Sequence, residues 1–253
     1  MFPLAGESIK SGVHILGRSI RYGYDYLGTV LISSALWFLI GLTPSIFTVY
    51  GVVRGPDAVR ALLALVTLLF LTAPATAAVF SMTGRIVGGE ETVLKDFFTG
   101  YRHFFWKSAA LTALHLIILV VLVVDLVFVA RHPSPLVRLL LGLWVYVLAF
   151  WGLMGLFLFP LLVKQDAGVL KTMRRAALIA LDNTVQSAVI AAFVVVFSVV
   201  SALFTAAMLL IYMGLVSFSL NVALLEVFKK YERQRSQGSG EEATEEAAPE
   251  NPV

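Results

Sequence analysis

The chain has no cysteine and little charge. The missing cysteines exclude disulfides, thiolate metal ligands and a Cys nucleophile. Charged residues are 14% of its 253 residues, against roughly a quarter in soluble domains. Apolar types make up 59%, and mean hydropathy is +0.88. A chain so poor in charge cannot coat itself in polar surface, which excludes an ordinary soluble domain. No cleavable leader is visible either. The first strong apolar run starts near Leu27 and is long enough to stay as an uncleaved span.

Long uncharged runs stand in place of the missing polar surface. A helix needs about 20 mostly apolar residues to cross roughly 30 Å of hydrocarbon. Six such runs can be drawn, over about 27–49, 61–82, 109–130, 139–163, 185–203 and 206–228. Residues 185–227 are apolar throughout, and one helix of that length would measure about 65 Å, twice a bilayer. They therefore form a hairpin turning near Ser201 to Ala206. The expected fold is all-α: a polytopic bundle of six transmembrane helices, with amphipathic interfacial helices on the cytoplasmic side. Residues 1–26 read as an amphipathic cytoplasmic segment, with Ile9, Val13, Leu16 and Ile20 at helical spacing and Lys10, Arg18 and Arg21 off that stripe. Residues 27–228 are the six-span domain. Residues 229–253 are a charged cytoplasmic tail without apolar periodicity, expected to be disordered. Pro44, Pro74 and Pro160 lie inside spans, where neighbouring helices can satisfy the backbone groups they free.

Two stretches between spans are basic and amphipathic. In the first, Arg85 to Lys107, Thr92 is a suitable N-cap, and Leu94, Phe98, Tyr101 and Phe105 repeat every three or four residues. Its aromatic rings (Phe97, Phe98, Tyr101, Phe105, Trp106) alternate with Lys95, Arg102 and Lys107, a mixture suited to the lipid headgroup layer. Base stacking also uses such mixtures, but this stretch is tethered between two spans. It therefore reads as an interfacial helix, and no nucleic-acid partner is expected. The second, Lys164 to Asp182, sets Lys171, Arg174 and Arg175 against Leu170, Met173 and Ala177. An amphipathic basic segment thus precedes each pair of spans, and Val93-Leu94-Lys95 and Val169-Leu170-Lys171 begin two of them alike. That is a weak sign of a parallel repeat.

The net charge is +3 and the pI about 9.2. Of the 19 Lys and Arg, all but Arg54, Arg60, Arg131 and Arg138 fall on one side of the six spans. By the positive-inside rule that side, which carries both termini, is cytoplasmic.

Ionisable groups within spans are costly and are candidate functional sites. Asp125 lies about five residues below the outer turn, roughly 7–8 Å deep. Two readings are open: a proton or cation site between helices, or a carboxylate paired with Arg131 or Arg138. His115, ten residues earlier, is about 80° around the helix and about 15 Å along it from Asp125. It either contributes to a relay or hydrogen-bonds a neighbouring helix. Gln186 and Asn221 read as helix-to-helix hydrogen bonders, and Glu226 as an ion pair with Lys229 and Lys230. The four histidines (His14, His103, His115 and His132) lack metal-ligand spacing. Neither a metal site, a cofactor site nor a catalytic constellation is legible, so an enzyme is not expected.

Four short motifs carry a resemblance. They are Pro74-Ala75-Thr76-Ala77-Ala78, Asp96-Phe97-Phe98, Phe104-Phe105-Trp106-Lys107 and Phe159-Pro160-Leu161-Leu162. Together they resemble the YesL-like family of bacterial membrane proteins, over roughly Asp25 to Arg233. A loop and second span between Pro44 and the Pro-Ala-Thr-Ala-Ala run depart from that pattern. The resemblance implies a bacterial inner-membrane protein of uncharacterised activity. It also implies an accessory or regulatory role in carbohydrate uptake, since relatives are often encoded beside sugar-import and glycoside-degrading genes. The expected partners are then the lipid bilayer and subunits of a sugar-uptake transporter. The competing expectation is a small-solute or ion-coupled transporter or channel using Asp125 and His115.

Overall fold

The computed structural model describes residues 5–54, 58–132, 134, 137, 139–203 and 209–246. Among these, six helices are long and apolar enough to cross a membrane, so the chain is an all-α, multi-pass membrane protein. The loop at 55–57, much of the turn at 133–138 and the turn placed near 201–206 fall wholly or partly outside the described residues.

The first helix, α1 (Ala5–Asp25), packs along the bundle through Gly12, Ile15, Ser19 and Gly23, while Val13 and Ile20 face outward. The bundle therefore takes the face of α1 that carries Ile15 and the small residues, and Val13 and Ile20 of the apolar stripe are left outside. Span 1 consists of α2 (Leu27–Trp37) and α3 (Thr43–Arg54), and span 2 of α4 (Ala58–Thr67) and α5 (Ala73–Val87). Each pair is joined by one wide turn, Phe38–Leu42 and Leu68–Thr72, in which the Thr43 and Ala73 amides donate five residues back. Each wide turn comes just before a proline, Pro44 or Pro74. Proline has no N–H, and its ring clashes with the carbonyl four residues back; widening the turn relieves the clash without ending the span.

A six-residue loop leads to α6 (Leu94–Arg131), 38 residues and about 57 Å long. Here the structure corrects the expected arrangement of a separate interfacial helix before span 3. Residues 94–107 and 109–130 are one uninterrupted helix, because neither Gly nor Pro interrupts Lys107-Ser108-Ala109 and the docking of both parts on neighbours keeps the ladder running. The start also differs: Val93, not Thr92, is the cap residue, and its amide donates to the Asp96 carboxylate at 2.8 Å. Span 4 is α7 (Leu141–Gln165), stopped by Asp166 in the left-handed conformation. The amphipathic α8 (Val169–Asp182) follows, then α9 (Thr184–Leu203) and α10 (Leu209–Glu246). The last helix runs from span 6 into the segment read as a disordered tail, through Lys and Glu residues that favour helix.

Helices α5 and α10 form the centre. Ala75, Ala77, Ala78 and Val79 of α5, and Phe218, Val222 and Ala223 of α10, are fully enclosed. Small residues let helix backbones approach where lipid supplies no hydrophobic drive between helices. Gly214 of α10 shows how close: a Cβ added there would lie 3.0 Å from the Val30 Cα of α2. By contrast, Ile117, Val120, Val124 and Phe128 of α6, Leu143 and Tyr146 of α7, and Val195, Val196 and Val199 of α9 point outward. These exposed apolar faces are what a bilayer would cover.

Candidate functional site

The inner part of α6 has two faces. Phe97, Gly100 and Phe104 are buried on one side of α6, and Gly100 lies against Ala78 and Ser81 of α5. A Cβ on Gly100 would come within 3.1 Å of Ser81, so this crossing also depends on a missing side chain. Tyr101 donates its hydroxyl to the Phe70 carbonyl at 3.0 Å. Phe70 lies four residues before Pro74, so this hydroxyl serves the carbonyl that proline cannot. The Phe105 and Trp106 rings each lie 6.0 Å from the Phe70 ring. Phe97, Tyr101 and Phe105, read as headgroup aromatics, therefore pack on other helices. The other face, with Lys95, Phe98, Arg102 and Trp106, is exposed and keeps the aromatic-basic character of a headgroup surface.

Beside that strip, Lys107 Nζ reaches Asp166 Oδ1 at 2.6 Å, and His103 Nε2 lies 3.0 Å from Asp166 Oδ2. The Lys107 hydrogen bond, opposed by burial and helped by His103, holds the Asp166 carboxyl below the usual carboxylate range. This cluster is not legible in the sequence, because Asp166 lies 63 and 59 residues from His103 and Lys107 and only the fold brings them together. On the same side, Arg85 bonds Glu90 at 2.8 Å and Asp96 at 2.9 Å. Arg85 lines a cavity of about 370 Å³ with Glu90, Lys164, Asn221 and Phe228. Its charge is already matched there.

Two of the expected partnerships change. Glu226 pairs with Arg18 of α1 instead of Lys229 or Lys230, because α1 lies along α10 and presents its guanidinium there. Lys230 turns to Asp182 at 3.3 Å and to the Asn183 side-chain oxygen at 2.9 Å. Asn221 does bond across helices, donating to the Phe80 carbonyl at 3.1 Å and to the Thr83 hydroxyl at 2.8 Å. The Gln186 Nε2, among the described residues, has no partner.

His115 and Asp125 do not share a site. His115 stacks on Trp151 of α7, with ring centroids 5.0 Å apart and planes at 12°. It lies flat over Gly155, where an added Cβ would be 3.4 Å from the imidazole. His115 and Thr112 line a cavity of about 320 Å³ whose other walls include Leu111, Leu156, Phe159 and Leu220. Among the described residues Thr112 Oγ1, His115 Nδ1 and Trp151 Nε1 are buried with no hydrogen-bond partner, so the expected bond from His115 to a neighbouring helix is not made through Nδ1. Asp125 lies outside this cavity, half-exposed between the outward-facing Val124 and Phe128. Among the described residues it has no hydrogen-bond or ion-pair partner. The pairing with Arg131 is corrected: six positions place the two side chains about 120° apart around the helix. Arg138 lies outside the described residues. Among the described residues no three of His, Asp or Glu gather as a metal site.

Residues 59–126 match the model of a family described as "Protein of unknown function, DUF624". They run from the start of span 2 through α5 and most of α6, the hairpin that holds Tyr101, His115 and Asp125. That description names no activity, and the match covers less than the stretch, roughly Asp25 to Arg233, over which the YesL-like resemblance is expected. No curated protein matches the chain, and no solved structure does.

Proposed function

We propose that the protein is a non-catalytic component of a bacterial inner membrane, with both termini cytoplasmic, acting as an accessory or regulatory partner of a carbohydrate-uptake system. The observation that carries the accessory reading is how the polar groups of the spans are used. Trp37 donates to Thr76 at 2.9 Å, Thr72 donates to the Gly41 carbonyl at 2.9 Å, and Thr48 meets Thr67 at 3.1 Å. The Ser34 hydroxyl accepts from the Gly214 amide at 2.8 Å, and Asn221 locks α10 to α5. Side chains that could line a hydrophilic path are thus spent on joining helices, which favours a bundle that holds its shape and presents surfaces. The link to carbohydrate uptake rests on the family resemblance alone, and the orientation on the Lys and Arg distribution.

Affinity purification from native membranes in mild detergent, with mass spectrometry, tests this. Sugar-transporter subunits are expected in stoichiometric yield, and Asp125→Asn should leave that yield unchanged. Recovery of the protein alone as a homogeneous particle would sink the accessory reading. One observation favours a second reading, a small-solute or ion-coupled transporter: the cavity beside His115 with its unpartnered polar atoms. On that reading liposome flux would be present and lost in His115→Leu.

A further inference from the structure

We infer that the cavity between α6, α7, α9 and α10 binds a neutral, hydroxyl-bearing amphiphile drawn from the bilayer. Thr112 and His115, three residues apart on α6, turn the same way into it. Thr112 Oγ1 and His115 Nδ1 are buried and, among the described residues, have no partner. Other hydroxyls in the bundle, such as those of Thr83 and Ser198, bond back to their own helix or across to another, whereas Ser201 Oγ, like Thr112 Oγ1, has no partner among the described residues. Leaving a donor or acceptor unserved in an apolar setting is costly, and two unserved groups on one cavity wall mark a place where something polar belongs.

The walls define that ligand. Among the described residues none of the lining side chains is charged, and apart from Thr112 and His115 they are glycine or apolar, among them Leu116, Val194 and Val216. An ion would lose its hydration and meet no countercharge, so the ligand is neutral. A free water needs two to four polar partners, more than this wall supplies around most of the space. A hydroxyl fits both groups: Thr112 can donate or accept, and a neutral imidazole Nδ1 does one or the other according to its tautomer. A carbonyl could only accept. The rest of the ligand must cover hydrocarbon walls, and a volume of about 320 Å³ is within the range of small-molecule sites.

Access is from lipid. Gly152 lines the cavity yet is exposed, and a Cβ placed there would meet nothing within 4 Å. Nearby Ile117 of α6 and Val195 of α9 are exposed on the outer surface. The mouth thus opens among lipid-facing side chains, where amphiphiles are abundant. This inference does not rest on the accessory role, since a bilayer ligand could regulate either an accessory protein or a transporter.

The test is photolabelling of the purified full-length protein in nanodiscs with diazirine-tagged hexadecanol, with peptides read by mass spectrometry. Labels are expected on residues 111–116 and 152–159, competed by hexadecanol and not by hexadecane. Thr112→Val, nearly isosteric, should weaken competition by hexadecanol about tenfold, the equivalent of one hydrogen bond. Gly152→Leu, built into open space, should abolish the labelling while the thermal midpoint stays near wild type. If Gly152→Leu fails to fold, Thr112→Val decides. Labels spread evenly over the outward faces of α6, α7 and α9 would overturn the inference, as would equal competition by hexadecane or indifference to Thr112→Val.

Discussion

Tyr101 shows how far one residue's role depends on what lies across from it. In the sequence it belongs to an aromatic repeat suited to headgroups. In the structure its hydroxyl serves the Phe70 carbonyl, which Pro74 leaves without its usual donor. Tyr101→Phe should therefore lower stability by about 1 kcal/mol, the ordinary worth of one such bond, read as a drop in the detergent thermal midpoint. A headgroup-facing tyrosine would show no such drop. His115 has the same lesson in reverse: a lone histidine in an apolar run shows no partner, and only the fold reveals that its Nδ1 has none among the described residues.

Among the elements, α6 is the one the sequence divides and the structure joins. Lys95, Arg102 and Lys107 break the hydropathy before Ala109, so the pattern shows an interfacial segment followed by a span. The helix ladder takes no account of that boundary, since charged and apolar residues alike propagate a helix, and α5 holds the inner part where Gly100 lies against Ala78 and Ser81. A proline at the junction separates the two views. Ser108→Pro should cost about 3 kcal/mol or more in a continuous helix, seen as lost expression or a collapsed thermal midpoint. Two independent helices meeting at residue 108 would tolerate it.

For the whole molecule, Asp166 ties the end of α7 to α6 through Lys107 and His103. Its folded pKa lies below the ordinary value of 3.8, so its stabilisation is present above that value. The stabilisation is lost as pH falls through the depressed folded value. The pair is half-exposed, so its worth is at most about 1 kcal/mol. Asp166→Asn should lower the thermal midpoint slightly at neutral pH and flatten its fall on acidification below about pH 4. Orientation is also a property of the whole chain, and the absence of cysteine makes it easy to probe. On the proposed orientation, with the termini cytoplasmic, a membrane-impermeant maleimide applied to intact spheroplasts should label Ser134→Cys and leave Glu91→Cys untouched. The opposite pattern would invert the topology.

Hydropathy by itself determined the class and the number of span-length helices, because the cost of burying charge in hydrocarbon is local and additive along the chain. The Pro-Ala-Thr-Ala-Ala run stands out only as a motif of the family resemblance, and its small residues lie at the centre of the bundle. Asn221 as a helix-to-helix bonder was legible too, since an amide within a span has few other options. Only the tertiary structure decided that Glu226 meets Arg18, that Lys107 and His103 meet Asp166, and that Thr112 and His115 line a cavity that excludes Asp125. These pairings join residues far apart in the chain. Helix rotation and crossing set them, and those depend on which small residues let two backbones touch, a fact that no single span carries in its own pattern.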